Sequence, residues 1–292
     1  MLDPLATAFA LRGLRSGVYF SPGFNGPIRA PIPFVFSIHD LIHLRFPGES
    51  SLVRLAYYRL IVLPASRRAF RVITGSEYSR GTILDWTGLP PDRVVAVGYG
   101  VSGDFAADGP RYEPGYPYFL FVGRREAHKN IPRLIEGFAA SRASAAVRLL
   151  FTGPPDRRIG ELAGRHRVKE AIHFTGPLSD SQLAACYRGA VALAFPSLYE
   201  GFGLPIVEAM ACGIPVLASR VTAMPEVAGD AALLVDPTSA QAIAQALDRL
   251  SEDSALKSTL RARGLERARR FSWDAVVQRI RQVLEQAPGG SG

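Results

Sequence analysis

At 292 residues the chain exceeds one comfortable doubly wound domain and suits two, at roughly 100 to 200 residues each. A composition that is 48% hydrophobic and 21% charged excludes a disordered or fibrous chain, and no uninterrupted apolar run reaches the roughly 18 residues of a membrane-crossing helix. The 34 Lys and Arg exceed the 26 Asp and Glu to give a net charge of +8, which favours anionic partners such as phosphates or acidic lipids. That charge is dispersed and no aromatic-basic recognition motif accompanies it, so a nucleic-acid partner is not expected. The first residues lack the basic start and apolar stretch of a secretory signal. Cys186 and Cys212, the only cysteines, sit in apolar helical patterns as small buried thiols, the usage of a reducing, cytoplasmic compartment.

In chain order, apolar runs at 18–21, 33–38, 72–74 and 94–97 read as buried strands, with helices expected over 50–70 and 77–86. The segment 109–117 is rich in Pro and Gly without core periodicity and reads as a linker, dividing the chain into domains 1–112 and 113–292. Beyond it, strands are expected at 118–122, 147–152, 172–175, 191–195, 215–218 and 232–235. Helices starting near Asn130, Asp156, Asp180, Pro205, Met224 and Ser239 separate them. This alternation is the pattern of parallel strands joined by crossover helices. Start signals stand at Ser179-Asp180, at Pro205 and at Thr238-Ser239. A last amphipathic helix, about 274–286, is able to pack back on the N-terminal domain. Gly123, Gly153 and Gly176 fall at carboxyl ends of strands, where open α/β sheets hold ligands.

Three stretches carry candidate chemistry. In PSLYEGFGLPIVEAMACGIPVLAS (196–219), Gly201 and Gly203 leave the amides around Phe202 and Leu204 uncovered beside a helix start, an anion seat flanked by Glu200 and Glu208. The same residues are equally read as a solvated loop charge, Glu200, and a carboxylate complementing the helix dipole, Glu208. In FVGRREAHKN (121–130), Arg124, Arg125 and Lys129 follow a strand and a glycine, either as phosphate ligands or as solvated loop charges. In FSIHDLIHLRFP (36–47), His39 and Asp40 end a buried strand, a place where a histidine is more often structural than catalytic.

The second half is where a family resemblance becomes specific. EGFGLPIVEAMACGIPVLAS (200–219) resembles the E-x7-E signature of family-4 glycosyltransferases, with GFGLPIVEAMA and GIPVLAS matching nearly residue for residue. FVGRREAHKN resembles that family's strand, glycine, then Arg and Lys pattern. FTGPP (151–155) and HFTGPLSDSQLAACYRGA (173–190) are similar to the segments flanking its nucleotide base, and the strand-end His-Asp pair has its counterpart too. The resemblance implies an α/β protein of the GT-B type, two Rossmann-like doubly wound parallel-sheet domains facing across a cleft, and a retaining transfer of a hexose or deoxyhexose from a nucleotide-diphosphate sugar. Carried over by position, it assigns catalytic roles to His39, Arg124, Lys129 and Glu200. It assigns donor binding to Gly123, Gly153, Gly201, Phe202, Gly203, Leu204 and Glu208.

Several further expectations follow from the resemblance. No metal or other cofactor is expected, because Arg and Lys stand where a divalent cation would neutralise the diphosphate. The variants at HDLI and GRREAHKN look most like bacterial polysaccharide mannosyltransferases, which makes GDP-mannose the first donor to consider. The acceptor is a glycan or a lipid-linked hydroxyl, and a lipid-linked one implies peripheral contact with the anionic inner face of the cell membrane. Family members open with a strand, a Gly-rich loop and a long helix that have no counterpart before 18–21. An incomplete N-terminal domain, with a gap where the central first strand would lie, is therefore expected. Two alternatives stay open on sequence grounds: a sugar-nucleotide epimerase of the same fold, and a non-catalytic donor-binding remnant.

Overall fold

Apolar runs that do not alternate with polar residues need cover on both faces, and in this protein they become two all-parallel sheets. The computed structural model describes residues 3–46, 48 and 50–289. It divides into one unit of Met1–Gly100 with Trp273–Gly292 and a second of Val101–Ser272.

The first unit runs α1 (Asp3–Ala10), β1 (Tyr19–Ser21), β2 (Phe34–Ser37), α2 (Ile42–Arg45), α3 (Leu52–Tyr57), α4 (Leu63–Arg68), β3 (Arg71–Thr74), α5 (Glu77–Thr87) and β4 (Val94–Ala96). Its strands lie in the spatial order β1-β2-β3-β4. The helix expected over 50–70 is one helical run from α3 to α4, widened between them by a π-helical stretch, Tyr58–Val62. Ser51 starts it, its side chain accepting from the Arg54 amide at 3.2 Å. Ser76 caps α5 in the same way, and Gly88, at φ 67°, ends it. Phe34, Phe36 and Val72 on one sheet face pack with Tyr58, Val62, Ala65 and Ile83 from the helices. Among the described residues the four strands are neighbours in sequence order, so the internal gap expected in this sheet does not occur between them. Among the described residues β1 is instead a short edge strand, paired with β2.

The second unit runs β5 (Tyr118–Phe121), α6 (Ile131–Ala140), β6 (Arg148–Phe151), α7 (Arg157–Arg165), β7 (Ile172–Phe174), α8 (Asp180–Gly189), β8 (Ala192–Phe195), α9 (Leu204–Ala211), β9 (Val216–Ser219), α10 (Met224–Ala228), β10 (Leu233–Val235), α11 (Ala240–Glu252) and α12 (Ser254–Ala268). Its strand order is β7-β6-β5-β8-β9-β10. The chain thus builds outward from β5 on one side, returns, and builds outward from β8 on the other. Ser179 and Gln182 close a full capping box at α8, Ser239 caps α11 and Pro205 lies in the first turn of α9. Helix α12 was not anticipated from the sequence. Its many charged residues hide the positions, such as Leu260 and Gly264, by which it packs.

The unit boundary at Gly100 and Val101 falls before the expected division at 112/113, and 109–117 is not a free linker. Arg188 of α8 donates to the Pro110 carbonyl at 2.7 Å and the Ala106 carbonyl at 3.1 Å. The Tyr112 amide donates to Ala185 O at 3.0 Å, so the first part of the segment lies along α8, while Tyr116 packs on His173 of β7. At the other end, α13 (Trp273–Glu285) packs in the first unit, where Ile280, Val283 and Leu284 cover the sheet face formed by Val35, Ile73 and Val97.

Candidate active site at the carboxyl ends of β5 and β8

In an open parallel sheet the loops leaving two strands on either side of a reversal of strand order diverge, opening a crevice at their carboxyl ends. In the second unit that point lies between β5 and β8. The loop after β5 carries Gly123, Arg124 and Lys129, and the loop after β8 carries Glu200 to Gly203, so the sequence motifs fall at the reversal.

Lys129 and Glu200 meet there. Lys129 Nζ donates to Glu200 Oε1 at 2.7 Å, and their side chains retain only 13% and 12% of their exposure. The ammonium also lies 5.0 Å from the centroid of the Phe195 ring. Gly123 makes room for this: its φ of 146° disfavours a side chain, and a Cβ there would stand 3.3 Å from Lys129 Cε. Asn130 holds the Lys129 turn in place. In a left-handed conformation at φ 60°, its buried amide donates to the Pro196 carbonyl at 2.9 Å and the Pro237 carbonyl at 2.7 Å. The Leu198 amide donates to the His128 carbonyl at 2.7 Å, tying the two loops together. Thr222 Oγ1 accepts from the Glu200 backbone amide at 3.2 Å and so holds the main chain that carries the acid.

Beside this pair stands the amino end of α9. Gly203, at φ 102°, is its N-cap and supplies no side-chain cap, leaving the first turn to accept an outside anion. Phe202 is buried and stacks edge-on against Phe271, 5.7 Å between centroids, whereas Leu204 is exposed. One turn further along, Glu208 Oε2 accepts from the hydroxyl of the buried Tyr187 at 2.8 Å. Burial raises the pKa of Glu208, the Tyr187 hydrogen bond opposing it. The Tyr187 hydroxyl is pushed well up, first by burial and then by the neighbouring carboxylate.

The two adjacent arginines separate in kind. Arg124 has 90% of its side chain in solvent, 3.9 Å from Glu126. Arg125 turns inward, donating to the Thr152 carbonyl at 2.6 Å and the Gly123 carbonyl at 3.0 Å and lying over the Phe151 and Phe174 rings. Burial lowers its pKa. Gly153 and Gly176 exchange two backbone hydrogen bonds, at 3.1 and 3.0 Å, prolonging the β6 and β7 ends beneath this arginine. Sequence reasoning did not single out Asn130, Tyr187 or Thr222. Asn130 alone left a trace, as the residue at an expected helix start.

His39 belongs to the first unit, at the carboxyl end of β2. Its Nδ1 makes a short hydrogen bond with the Tyr99 hydroxyl, and the ring also bonds the Pro22 carbonyl. Its pKa is lowered by burial, against the opposing effects of Asp40 and that carbonyl. Asp40 Oδ1 accepts from the Ile42 amide at 2.9 Å, a local turn just before α2, whose N-cap is Leu41.

The loops that part at this reversal and the helix that follows them thus carry a cation, two carboxylates and a helix start without a side-chain cap, groups able to meet an anionic, hydroxyl-rich ligand. The comparisons name the class. The model of the family "Glycosyl transferases group 1" matches residues 108–271, and the chain belongs to that family. It is 31% identical over 288 residues to an O-antigen chain mannosyltransferase B of Escherichia coli, covering 94% of this chain and 75% of that protein. It is 30% identical over 256 residues to the serotype-specific mannosyltransferase WbdA of Escherichia coli, covering 80% of this chain but 31% of that much longer protein. Among solved structures, sucrose-phosphate synthase from Thermosynechococcus elongatus superposes with a TM-score of 0.75 at 27% identity, over 87% of this chain and 67% of its own. WaaG, a glycosyltransferase of lipopolysaccharide biosynthesis, superposes with a TM-score of 0.75 at 17% identity, over 97% and 81%, a likeness of fold. The fold is thus of the GT-B type and the protein is a glycosyltransferase resembling bacterial polysaccharide mannosyltransferases. No helix of the described residues is long and apolar enough to cross a membrane.

Proposed function

We propose that the protein transfers a hexose, mannose first among the candidates, from a nucleotide-diphosphate donor to a glycan or lipid-linked hydroxyl with retention at the anomeric carbon. The observation that carries this reading is the largely buried Lys129–Glu200 pair beside the start of α9, which has no side-chain cap. As the bond between the anomeric carbon and the diphosphate oxygen breaks, the leaving group gains charge. A fixed cation there stabilises the transition state more than the ground state, by about 3 kcal/mol. Lys129 and the solvent-exposed Arg124 take this role in place of a metal ion. Glu200 accepts hydrogen bonds from donor-sugar hydroxyls, the Gly201 to Leu204 backbone receives sugar and phosphate, and Glu208 takes the ribose. The acceptor oxygen bonds to the anomeric carbon on the face being vacated, and its proton passes to the leaving phosphate oxygen. His39, neutral under its lowered pKa, is the candidate catalytic group that the first unit contributes.

The similarity to an O-antigen chain mannosyltransferase supports mannose. Peripheral attachment to the anionic cytoplasmic membrane face is supported by the exposed Leu52, Val53 and Leu60, interleaved with Arg54 and Arg59 on one helical run. The purified chain is to be incubated with GDP-mannose, UDP-glucose and ADP-glucose and a panel of mannosyl acceptors, with product linkage read by NMR. An α-mannoside formed from GDP-mannose is the expected product. An inverted anomer, or transfer from the other donors alone, overturns the reading.

A further inference from the structure

At the amino ends of β8 and β9, away from the Lys129–Glu200 pair, the second unit contains a cavity of about 300 Å³, at the small end of ligand pockets, which run from about 300 to 1,000 Å³. Helix α9, about 12 Å long at 1.5 Å per residue, separates the two places. Its amino end faces the donor crevice, and its C-cap, Cys212, lines the cavity. Four cations line this space, Arg111, Arg188, Lys257 and Arg261, together with the hydroxyl-bearing Ser254 and Ser258. No carboxylate is among the lining residues.

What the four cations touch decides the matter. Arg188 is 8% exposed, and its guanidinium is held by the carbonyls of Pro110 and Ala106. Lys257 Nζ donates to the Ser251 carbonyl at 3.1 Å. These partners are neutral, so hydrogen bonds are satisfied while the charge is not. Among the described residues none of the four belongs to an ion pair. The carboxylate adjacent in sequence, Asp253, is turned into the α12 cap and accepts from the Leu256 amide at 2.8 Å. The helix ends nearby do not balance the account either. The carboxyl ends of α8 and α9 each supply about half a negative charge, against four positive ones. Arg111 and Arg261 are exposed while lining the cavity, and the arginine fork matches the oxygens of a phosphate.

We propose that this cavity is a second anion site, separate from the donor crevice, which binds a phosphate group carried by a soluble phosphorylated compound or by a lipid headgroup. The test is a calorimetric titration of the intact chain with inorganic phosphate at low salt, in saturating GDP so that the donor crevice is occupied. It is repeated on Arg111→Ala/Arg261→Ala and on the charge-matched control Arg158→Ala/Arg165→Ala, whose residues lie exposed on α7. The expected result is phosphate affinity at least tenfold weaker in the first variant, unchanged in the control, with GDP affinity the same in all three. Unfolding curves check that each variant is folded, as the exposure of the substituted residues leads one to expect. Equal phosphate affinity in the cavity variant, an equal loss in the control, or no phosphate binding by the folded parent overturns the proposal. Competition by glucose 1-phosphate assigns the site to a soluble phosphate, and competition by monomeric dihexanoyl phosphatidylglycerol assigns it to a headgroup; either outcome supports the site.

Discussion

The two sheets are built from the same strands-and-crossovers grammar, yet they position chemistry differently. In the first unit the strands follow one another across the sheet in sequence order, so consecutive loops lie side by side. The strand-end histidine there is engaged by Tyr99 and Pro22 of its own unit. In the second unit the order reverses between β5 and β8, and the loops that part there bring Lys129 to Glu200 across 71 residues of chain. The lesson is that strand order, more than strand count, decides where polar side chains converge.

The largest expected effect falls on the cation of the second unit. Lys129→Ala removes the cation and leaves the largely desolvated Glu200 without it. Turnover should fall by about 10²–10³-fold and stability by about 3 kcal/mol, read by steady-state kinetics and denaturant unfolding. Normal turnover in this variant would remove the crevice from the mechanism. The neighbouring arginines sharpen the point by dissociating the two readouts. Arg125→Ala loses two charged hydrogen bonds to carbonyls and should cost about 2 kcal/mol. Arg124→Ala should change stability by less than about 0.5 kcal/mol yet slow turnover. Gly203→Ala places a Cβ at φ 102°, 3.1 Å from Ile206 Cδ1, and should cost about 1–2 kcal/mol with a raised donor KM.

The smallest effect belongs to the first unit. Because the folded-state pKa of His39 lies below 6.5, the unfolded chain binds the proton first as pH falls. The stability that His39 contributes is therefore complete above pH 6.5 and is lost progressively from there down to its folded pKa. Solvent reaches part of the ring, which keeps the slope shallow. His39→Asn should flatten it, as followed by unfolding between pH 7 and pH 5.

Much of the site was legible because its residues are bound to local motifs. The two glutamates, the Gly-rich turn between them and the helix beginning at Leu204 form one continuous stretch, so their relation is set by neighbouring backbone torsions. The capping signals at Ser179 and Ser239 were legible for the same reason, each side chain bonding an amide three residues on. Tyr187 was hidden because its link to Glu208 joins two helices, and nothing in a buried aromatic on an apolar face distinguishes packing from hydrogen bonding. The segment 109–117 was misread for a related reason. Composition reports its lack of regular structure but not the inward-turned Arg188 that fastens it.

Residue order alone carries the class of fold, the strand and helix periods and the Gly-rich turn that opens α9, because these rest on interactions within a few residues of one another. Only the tertiary structure decided which of Arg124 and Arg125 stays in solvent, that Lys129 and Glu200 pair, that the unit boundary precedes Val101, and that four cations gather beneath α9. Each of those depends on contacts between residues far apart in the chain, whose desolvation and charge are set by what the fold brings beside them.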